Sequence, residues 1–192
     1  MPHSPLGIPF YGPPVPLDAR IHDTSKIPFV PHTDPIMWLG LELNYSYIQP
    51  IFEDLNKSSS NLQSRGEAHI TVISPPEYEV LAKVNISIDD INTIAAEHNI
   101  QASKFRVICL GKAELQENSV YQLIVSSPDL VDIRTKLFQL YWSKGGNTAL
   151  FDPKSFWPHI TVGFTEHDLF LENGVFKGDN LCWRSIELYT RD

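Results

Sequence analysis

This 192-residue sequence has few cysteines, no long apolar run and no excess of positive charge. Its two cysteines, Cys109 and Cys182, are too few for a disulfide-built scaffold or a cysteine-ligated zinc site. Both lie in strand-like segments, so we expect them to be buried thiols. No segment approaches the roughly 18 uninterrupted apolar residues of a membrane span, and no signal-peptide pattern opens the chain. We therefore expect a soluble intracellular protein, cytoplasmic or nuclear, with no membrane partner.

Basic residues are outnumbered, with 15 Lys and Arg against 23 Asp and Glu and a formal net charge of −8. This balance opposes sequence-blind binding along a nucleic-acid backbone, which depends on Lys and Arg neutralising phosphates. Net charge does not report local charge, however, and residues 99–160 hold seven basic and five acidic side chains. If the protein binds nucleic acid, we expect it to grip one phosphate group in a cleft and ignore most of the strand.

Proline is concentrated at one end, because nine of the fifteen prolines fall within the first 35 residues. Such a segment cannot be a regular helix or a central strand. Its apolar side chains favour an extended arm packed on the domain over a disordered leader. We divide the chain into a proline-rich N-terminal arm at 1–36 and one domain at 37–192.

Hydrophobic periodicity and helix-start signals in the domain predict an α+β fold rather than a doubly wound parallel sheet. Ser87 begins a capping-box pattern that indicates a short helix. The predicted elements are a strand at 37–43, a helix over 48–62, a strand at 68–73 stopped by Ser74-Pro75-Pro76, a helix over 88–98, strands at 104–110 and 120–126, a helix over 128–141, and strands at 158–164 and 182–189.

One tetrapeptide, His-Ile-Thr-Val, occurs twice, at 69–72 and at 159–162. Each copy is a predicted strand that follows a strand and an amphipathic helix. The second unit is longer by about eight residues, which we place in the loop before its motif. The domain therefore reads as two β-α-β halves related by a pseudo-repeat.

The motif has a chemical consequence, because side chains two apart on a strand share a face. His69 and Thr71 thus point the same way, as do His159 and Thr161, and packing of the halves about a pseudo-twofold axis would gather all four around a single cleft. Threonine hydroxyls can donate to phosphate oxygens. With a pKa of roughly 6.5, one imidazole can accept a proton from a nucleophile while another protonates a leaving oxygen. This chemistry requires no metal and no other cofactor.

Other interpretations of these residues stay open. A single His-x-Thr on a strand is usually a half-buried histidine beside a β-favouring threonine. His69 and His159 could also ligate a metal, although neither half supplies a further ligand at the usual spacing. In the arm, His3, His22 and His32 are interpreted as surface or turn histidines without a partner.

At these motifs the sequence resembles the 2H phosphoesterase superfamily, which is defined by two His-x-Thr/Ser motifs in a bilobal α+β domain. The resemblance spans roughly Trp38 to Tyr189 and leaves the N-terminal arm outside. More narrowly, Arg65–Glu77, and Phe151–Lys154 with Trp157–Thr165, look like the fungal branch attached to Swiss-army-knife RNA-repair proteins.

The resemblance implies that His69 and His159 divide the base and acid roles, while Thr71 and Thr161 hold the phosphate. It implies hydrolysis of 2′,3′-cyclic phosphates, on nucleotides or RNA 3′ ends, to 2′-phosphates in RNA repair or processing. The near symmetry of the motifs does not assign the base. A noncatalytic module that binds terminal or cyclic phosphates of RNA is the alternative, and we expect a monomer in either case.

Further candidates surround the motifs. Three aromatic residues could stack on a base, although each also suits plain packing: Phe164, at a position where relatives place an aromatic, Trp157 and Tyr78. Glu67 should share the strand face of His69 and could orient its ring. Three basic residues could meet phosphate oxygens or remain solvated: Arg65, Lys112 and Lys154.

Overall fold

A computed structural model describes residues 3–58 and 61–191 of the chain. In chain order its strands and α-helices are β1 (Val15–Asp18), β2 (Leu39–Leu43), α1 (Gln49–Ser58), β3 (Ala68–Ile73), α2 (Pro75–Ala82), α3 (Ile88–Glu97), β4 (Arg106–Leu115), β5 (Asn118–Ser126), α4 (Pro128–Ser143), β6 (His159–Phe164), β7 (Cys182–Arg184) and β8 (Ile186–Tyr189). Positions 59–60, inside the predicted first helix, lie outside the described residues. Among those described, no helix has the length and apolarity to span a membrane.

The main sheet has six strands in the order β2-β3-β6-β5-β4-β7, and every neighbouring pair is antiparallel. The first β-α-β half is β2-α1-β3 and the second is β5-α4-β6. The halves meet where β3 pairs with β6. The predicted α+β class and the two pseudo-symmetric halves are confirmed.

The repeat extends to the register of the backbone. Leu41 pairs with Ile70 in the first half, and Leu123 pairs with Ile160 in the second. In both halves the register then slips by one residue, which makes Val72 and Val162 the extra residues of two β-bulges. The same motif position therefore bends the strand in each copy.

The core fixes which way the motif faces. The motif isoleucines Ile70 and Ile160 and their strand partners Leu41 and Leu123 are all 0% exposed. They belong to one hydrophobic cluster that also contains the buried apolar side chains of α1, α3 and α4. Because side chains alternate along a strand, the histidines and threonines beside these isoleucines point to the opposite face.

One difference from the predicted elements has a local cause. Ser74 ends β3 and also caps a helix that was not predicted, α2. Glu77 N donates to Ser74 Oγ at 3.3 Å, and Glu77 Oε1 accepts from Ser74 N at 3.1 Å. Pro75 and Pro76 are tolerated there because the first helical turn needs no backbone donors. The capping box that begins α3 at Ser87 is confirmed.

The last predicted strand is divided into two. β7 pairs with β4 in the main sheet, whereas β8 pairs in parallel with β1 of the N-terminal arm. Val15, Leu17 and Ile21 of the arm are buried. The arm therefore contributes side chains to the core.

The expectation of two buried thiols is wrong. Cys109 on β4 and Cys182 on β7 form a disulfide with their Cα atoms 5.6 Å apart. Gly111 of β4 pairs with Cys182, so the two strands bring the cysteines together. They are 73 residues apart in the chain, and no local pattern marks them as partners.

Replacing Cys182 by serine should lower the free energy of unfolding by about 2–4 kcal/mol, because the bond constrains a long loop of the unfolded chain. Urea denaturation with and without reductant measures the effect. Reductant should destabilise the parent protein and leave Cys182→Ser unchanged. Two free thiols per chain in the denatured, unreduced protein would contradict the bond.

Candidate active site

Four polar side chains gather where the two halves meet. Ile70 pairs with Ile160 across antiparallel strands, so His69 lies beside Thr161 and Thr71 beside His159. Side chains at such opposed positions have Cβ atoms about 4.5–5.5 Å apart. Each imidazole is thus next to the threonine of the other motif copy, on the face away from the helices.

The two histidines have different partners at equivalent positions of the repeat. Nδ1 of His69 lies 2.7 Å from Oε2 of Glu67, the residue two positions earlier. Nδ1 of His159 lies 2.9 Å from the backbone carbonyl oxygen of Trp157, again two positions earlier. One ring is therefore oriented by a carboxylate and the other by a neutral carbonyl.

Glu67 places a negative charge beside His69. Burial opposes ionisation of Glu67, but the hydrogen bond and charge of His69, together with Arg65, leave the pKa of this carboxyl below its usual value. The ionised carboxylate can only accept, so Nδ1 of His69 donates to it. Nε2 of His69 then remains for the cleft.

His159 is held neutral. Because a carbonyl oxygen only accepts, Nδ1 carries the proton, and Nε2 of the neutral ring bears a free lone pair. Burial, followed by the positive charge of Lys177, lowers the pKa of His159 to about 4. Near neutral pH this ring is an acceptor facing the cleft.

Lys177 belongs to an ion network at the edge of the site. Its Nζ donates to Oδ1 of Asp168 at 2.7 Å, and Nη2 of Arg65 donates to Oδ2 at 2.7 Å. The side chains of Lys177 and Asp168 are 3% and 6% exposed. Burial lowers the pKa of Lys177 although Asp168 attracts its proton. Neither Lys177 nor Asp168 was singled out from the sequence, because both lie in a loop without a motif.

A family model for the Swiss Army Knife 2H phosphoesterase domain matches residues 37–170, which include both motifs and the strands that carry them. The chain belongs to this family. No curated protein and no solved structure matches the chain. Membership supports a phosphodiesterase-type function for this 2H phosphoesterase. The matched segment excludes both the N-terminal arm and Lys177.

Neighbouring strands add residues that sequence reasoning missed. Gln122 of β5 lies opposite Thr161 and is fully buried. Neither polar atom of its side chain has a hydrogen-bond partner among the described residues. Gly111 leaves room for this amide, because a Cβ there would lie 2.9 Å from Nε2 of Gln122. The sequence feature that could have pointed to this residue is a polar glutamine inside the otherwise apolar run 121–125.

On the other side of the candidate site, Glu42 of β2 lies opposite His69. Its Oε1 is 2.6 Å from Nε2 of His32, a residue of the N-terminal arm. The interpretation of His32 as a histidine without a partner is therefore wrong. The two residues are brought together by the fold, since the arm returns along β2 after a loop.

Because of the bulge at Val162, Phe164 lies on the same face as the motif side chains. It pairs with Val120 of β5. The guanidinium carbon of Arg65 lies 5.8 Å from the Phe164 ring centroid. Phe164 also packs against a small cluster that contains Val120 and Leu169. Its position fits both base stacking and packing, and Arg65 binds Asp168 at this edge.

Of the remaining candidates, two lie beside His159 and two lie away from the motif side chains. Trp157 and Lys154 line a cavity of about 700 Å³ beside His159, which Ile124 and the start of α4 also border. Tyr78 instead packs against the main core. Lys112 lies on the opposite face of the sheet, where its Nζ is 2.9 Å from Glu114.

Metal ligation has little support from the donor set of the phosphoesterase. Within 3–58 and 61–191, no group of three or more His, Cys, Asp or Glu side chains is arranged to hold a metal ion. Nδ1 of each motif histidine is already hydrogen-bonded within the protein.

Proposed function

We propose that this 2H phosphoesterase hydrolyses 2′,3′-cyclic phosphates, of nucleotides or at RNA 3′ ends, to 2′-phosphates without a metal ion. Family membership supports phosphodiester chemistry. The observation that carries the proposal is the difference between the two motif imidazoles: Nδ1 of one is paired with a carboxylate, and the other is bonded to a backbone carbonyl and kept neutral by burial and Lys177. General acid–base catalysis needs one proton donor and one acceptor on opposite sides of the reacting group.

This difference supports separate roles for the two histidines, which the symmetric motifs left open. His159 is the general base, because its pKa of about 4 leaves Nε2 unprotonated near neutral pH. His69 is the general acid, because its Nδ1 lies 2.7 Å from the Glu67 carboxylate, whereas His159 has only a neutral carbonyl at the equivalent position. Thr71 and Thr161 donate to the nonbridging oxygens of the phosphate.

The reaction then proceeds as one displacement. Nε2 of His159 takes a proton from water as the water oxygen bonds to phosphorus. The bond from phosphorus to the 3′ oxygen breaks, and Nε2 of His69 gives its proton to that oxygen. Water is thereby added across one P–O bond, leaving a 2′-phosphate and a 3′-hydroxyl. Exchange with solvent returns both rings to their starting protonation.

Replacing Lys177 by methionine should move the acid limb of the pH–rate profile to higher pH. Lys177 is the second cause, after burial, of the lowered pKa of His159, and Asp168 acts in the opposite direction. Loss of the ammonium therefore raises that pKa, so the base becomes protonated at a higher pH as acid is added.

The measurement is kcat/KM against pH, which reports groups of the free enzyme. Lys177→Arg keeps the charge and should keep the limb, and Lys112→Met on the opposite face is the control for general effects. An unshifted limb in folded Lys177→Met would contradict the role of Lys177.

The substrate is tested by incubating the protein with 2′,3′-cyclic AMP and with an RNA oligonucleotide that ends in a 2′,3′-cyclic phosphate. Chromatography then resolves the products with and without EDTA. Turnover that survives EDTA is expected. Saturable binding without turnover would favour a noncatalytic phosphate-binding module, and inhibition by EDTA that zinc reverses would favour a metal site.

A further inference from the structure

An aromatic side chain from the start of the domain lies against the ring of His69. The Trp38 and His69 ring centroids are 4.5 Å apart, with the ring planes tilted by 48°. The indole occupies space that Gly40 leaves open, because a Cβ at Gly40 would lie 2.5 Å from Cζ3 of Trp38. Gly40 is opposite Thr71. Trp38 therefore borders the site on the side formed by β2 and β3, the strands of the first half.

The same indole is held by the N-terminal arm. His32 stacks on Trp38 with centroids 3.8 Å apart and planes 14° from parallel. Nε2 of His32 lies 2.6 Å from Oε1 of Glu42, and Trp38 N donates to the His32 carbonyl oxygen at 3.3 Å. The His32 and Glu42 side chains are only 24% and 16% exposed. Side-chain and backbone contacts therefore fix His32 on Trp38.

The arm is also tied to β2 by a buried glutamine. Nε2 of Gln101 donates to the carbonyl oxygens of Thr24 and Glu42, each at 3.2 Å. Oε1 of Gln101 accepts from Glu42 N at 2.9 Å, and the Thr24 hydroxyl donates to the Gln101 carbonyl at 2.6 Å. The strand that bears Glu42 and the arm segment before His32 are therefore held in one frame.

We infer that His32 and Glu42 are positioning residues that act through Trp38 on His69, so that the N-terminal arm completes the active site. The inference rests on the proposed function, in which His69 is the acid. Glu67 orients Nδ1 of the imidazole, and Trp38 supports the ring itself. Proton transfer requires this placement, since a small displacement of a catalytic group can lower the rate about 100-fold.

The test compares His32→Ala with His22→Ala. His22 is a matched control, because it is also an arm histidine packed against an aromatic ring, that of Phe105 at 5.0 Å. For 2′,3′-cyclic AMP we expect His32→Ala to lower kcat about 10- to 100-fold with little change in KM. His22→Ala should change neither constant.

A second substrate separates a positioning role from a structural one. Bis(4-nitrophenyl) phosphate releases nitrophenolate, which needs no proton, so a misplaced acid matters little for it. His32→Ala should therefore show the 10- to 100-fold lower kcat on the cyclic phosphate and keep the parent kcat on the nitrophenyl diester. Equal loss on both substrates, or parent-like kcat on the cyclic phosphate, would overturn the inference.

If His32→Ala does not fold, His32→Gln offers the same comparison with a group that can still reach Glu42 but cannot stack. It should lose kcat selectively for the cyclic phosphate, and retention of parent activity would overturn the inference. A parent protein that turns over neither substrate would instead contradict the proposed function.

Discussion

Replacing His159 by alanine should lower kcat for a 2′,3′-cyclic phosphate by about 10²- to 10⁴-fold, and so should replacing His69. Each substitution removes one positioned proton carrier from the junction of β3 and β6. The loss should fall mainly on kcat, because Thr71 and Thr161, which we propose bind the phosphate, remain. The two variants should nevertheless differ in how they depend on the leaving group.

Bis(4-nitrophenyl) phosphate exposes that difference. His69→Ala should retain most activity on it, because nitrophenolate leaves without an acid, whereas His159→Ala should lose activity because water still needs a base. His98→Ala, at the C-terminal cap of α3, is the control histidine and should behave as the parent. The reverse pattern would exchange the assigned roles, and full activity of either folded variant would contradict catalysis by that histidine.

Replacing Arg134 by methionine should lower the free energy of unfolding by about 3–5 kcal/mol, the usual effect of breaking a buried ion pair. The Arg134 side chain on α4 is 0% exposed and binds Glu77 of α2 through two bonds, at 3.0 and 2.8 Å. It also donates to four backbone carbonyl oxygens, those of Val72, Asp152, Pro153 and Ser155.

These contacts explain the size of the expected effect. Methionine fills similar space but leaves the Glu77 carboxylate without its partner and the buried carbonyls without a donor. Arg134 also lies over the rings of Phe151 and Phe156, with its guanidinium carbon 5.1 and 4.6 Å from their centroids. It therefore joins the two halves and holds the loop that leads to His159.

Urea denaturation measures this effect against Lys136→Ala, a substitution on the exposed face of α4. The control should change stability by less than about 0.5 kcal/mol. A similarly small change in Arg134→Met would show that the buried guanidinium does not hold the halves together.

Local features of the sequence were enough to predict the two halves. Strand alternation and the repeated motif place His69 and Thr71 on one face, and the same rule applies to His159 and Thr161. The capping box at Ser87 depends on residues three apart and was equally readable. Ser74 carries the same signal before Glu77, but the two prolines between them favoured a simple strand stop.

Contacts between distant segments were not predictable in this way. Arg134 occupied one more position on an amphipathic stripe, and its partner Glu77 lies 57 residues earlier. The disulfide joins cysteines 73 residues apart, and His32 reaches Glu42 only because the arm folds back on β2. Each pairing depends on the order of the strands in the sheet and on how the chain folds back on itself. No short sequence pattern encodes either feature.

The roles of the two histidines fall between these cases. The residues two positions before each motif, Glu67 and Trp157, already differ in the sequence. Strand alternation already placed Glu67 beside His69, but only the structure shows that a backbone carbonyl binds the other ring. Lys177, which helps to keep His159 neutral, arrives from a loop beyond the matched family segment.

The most direct test of metal-free catalysis by the two histidines is a phosphorus NMR time course of 2′,3′-cyclic AMP in EDTA. With the parent protein, the cyclic phosphate signal should give way to that of the 2′-monophosphate. It should persist when folded His69→Ala or His159→Ala is used at the same concentration. Persistence of the cyclic signal with parent protein that binds the nucleotide, or equal turnover by either variant, would contradict the mechanism.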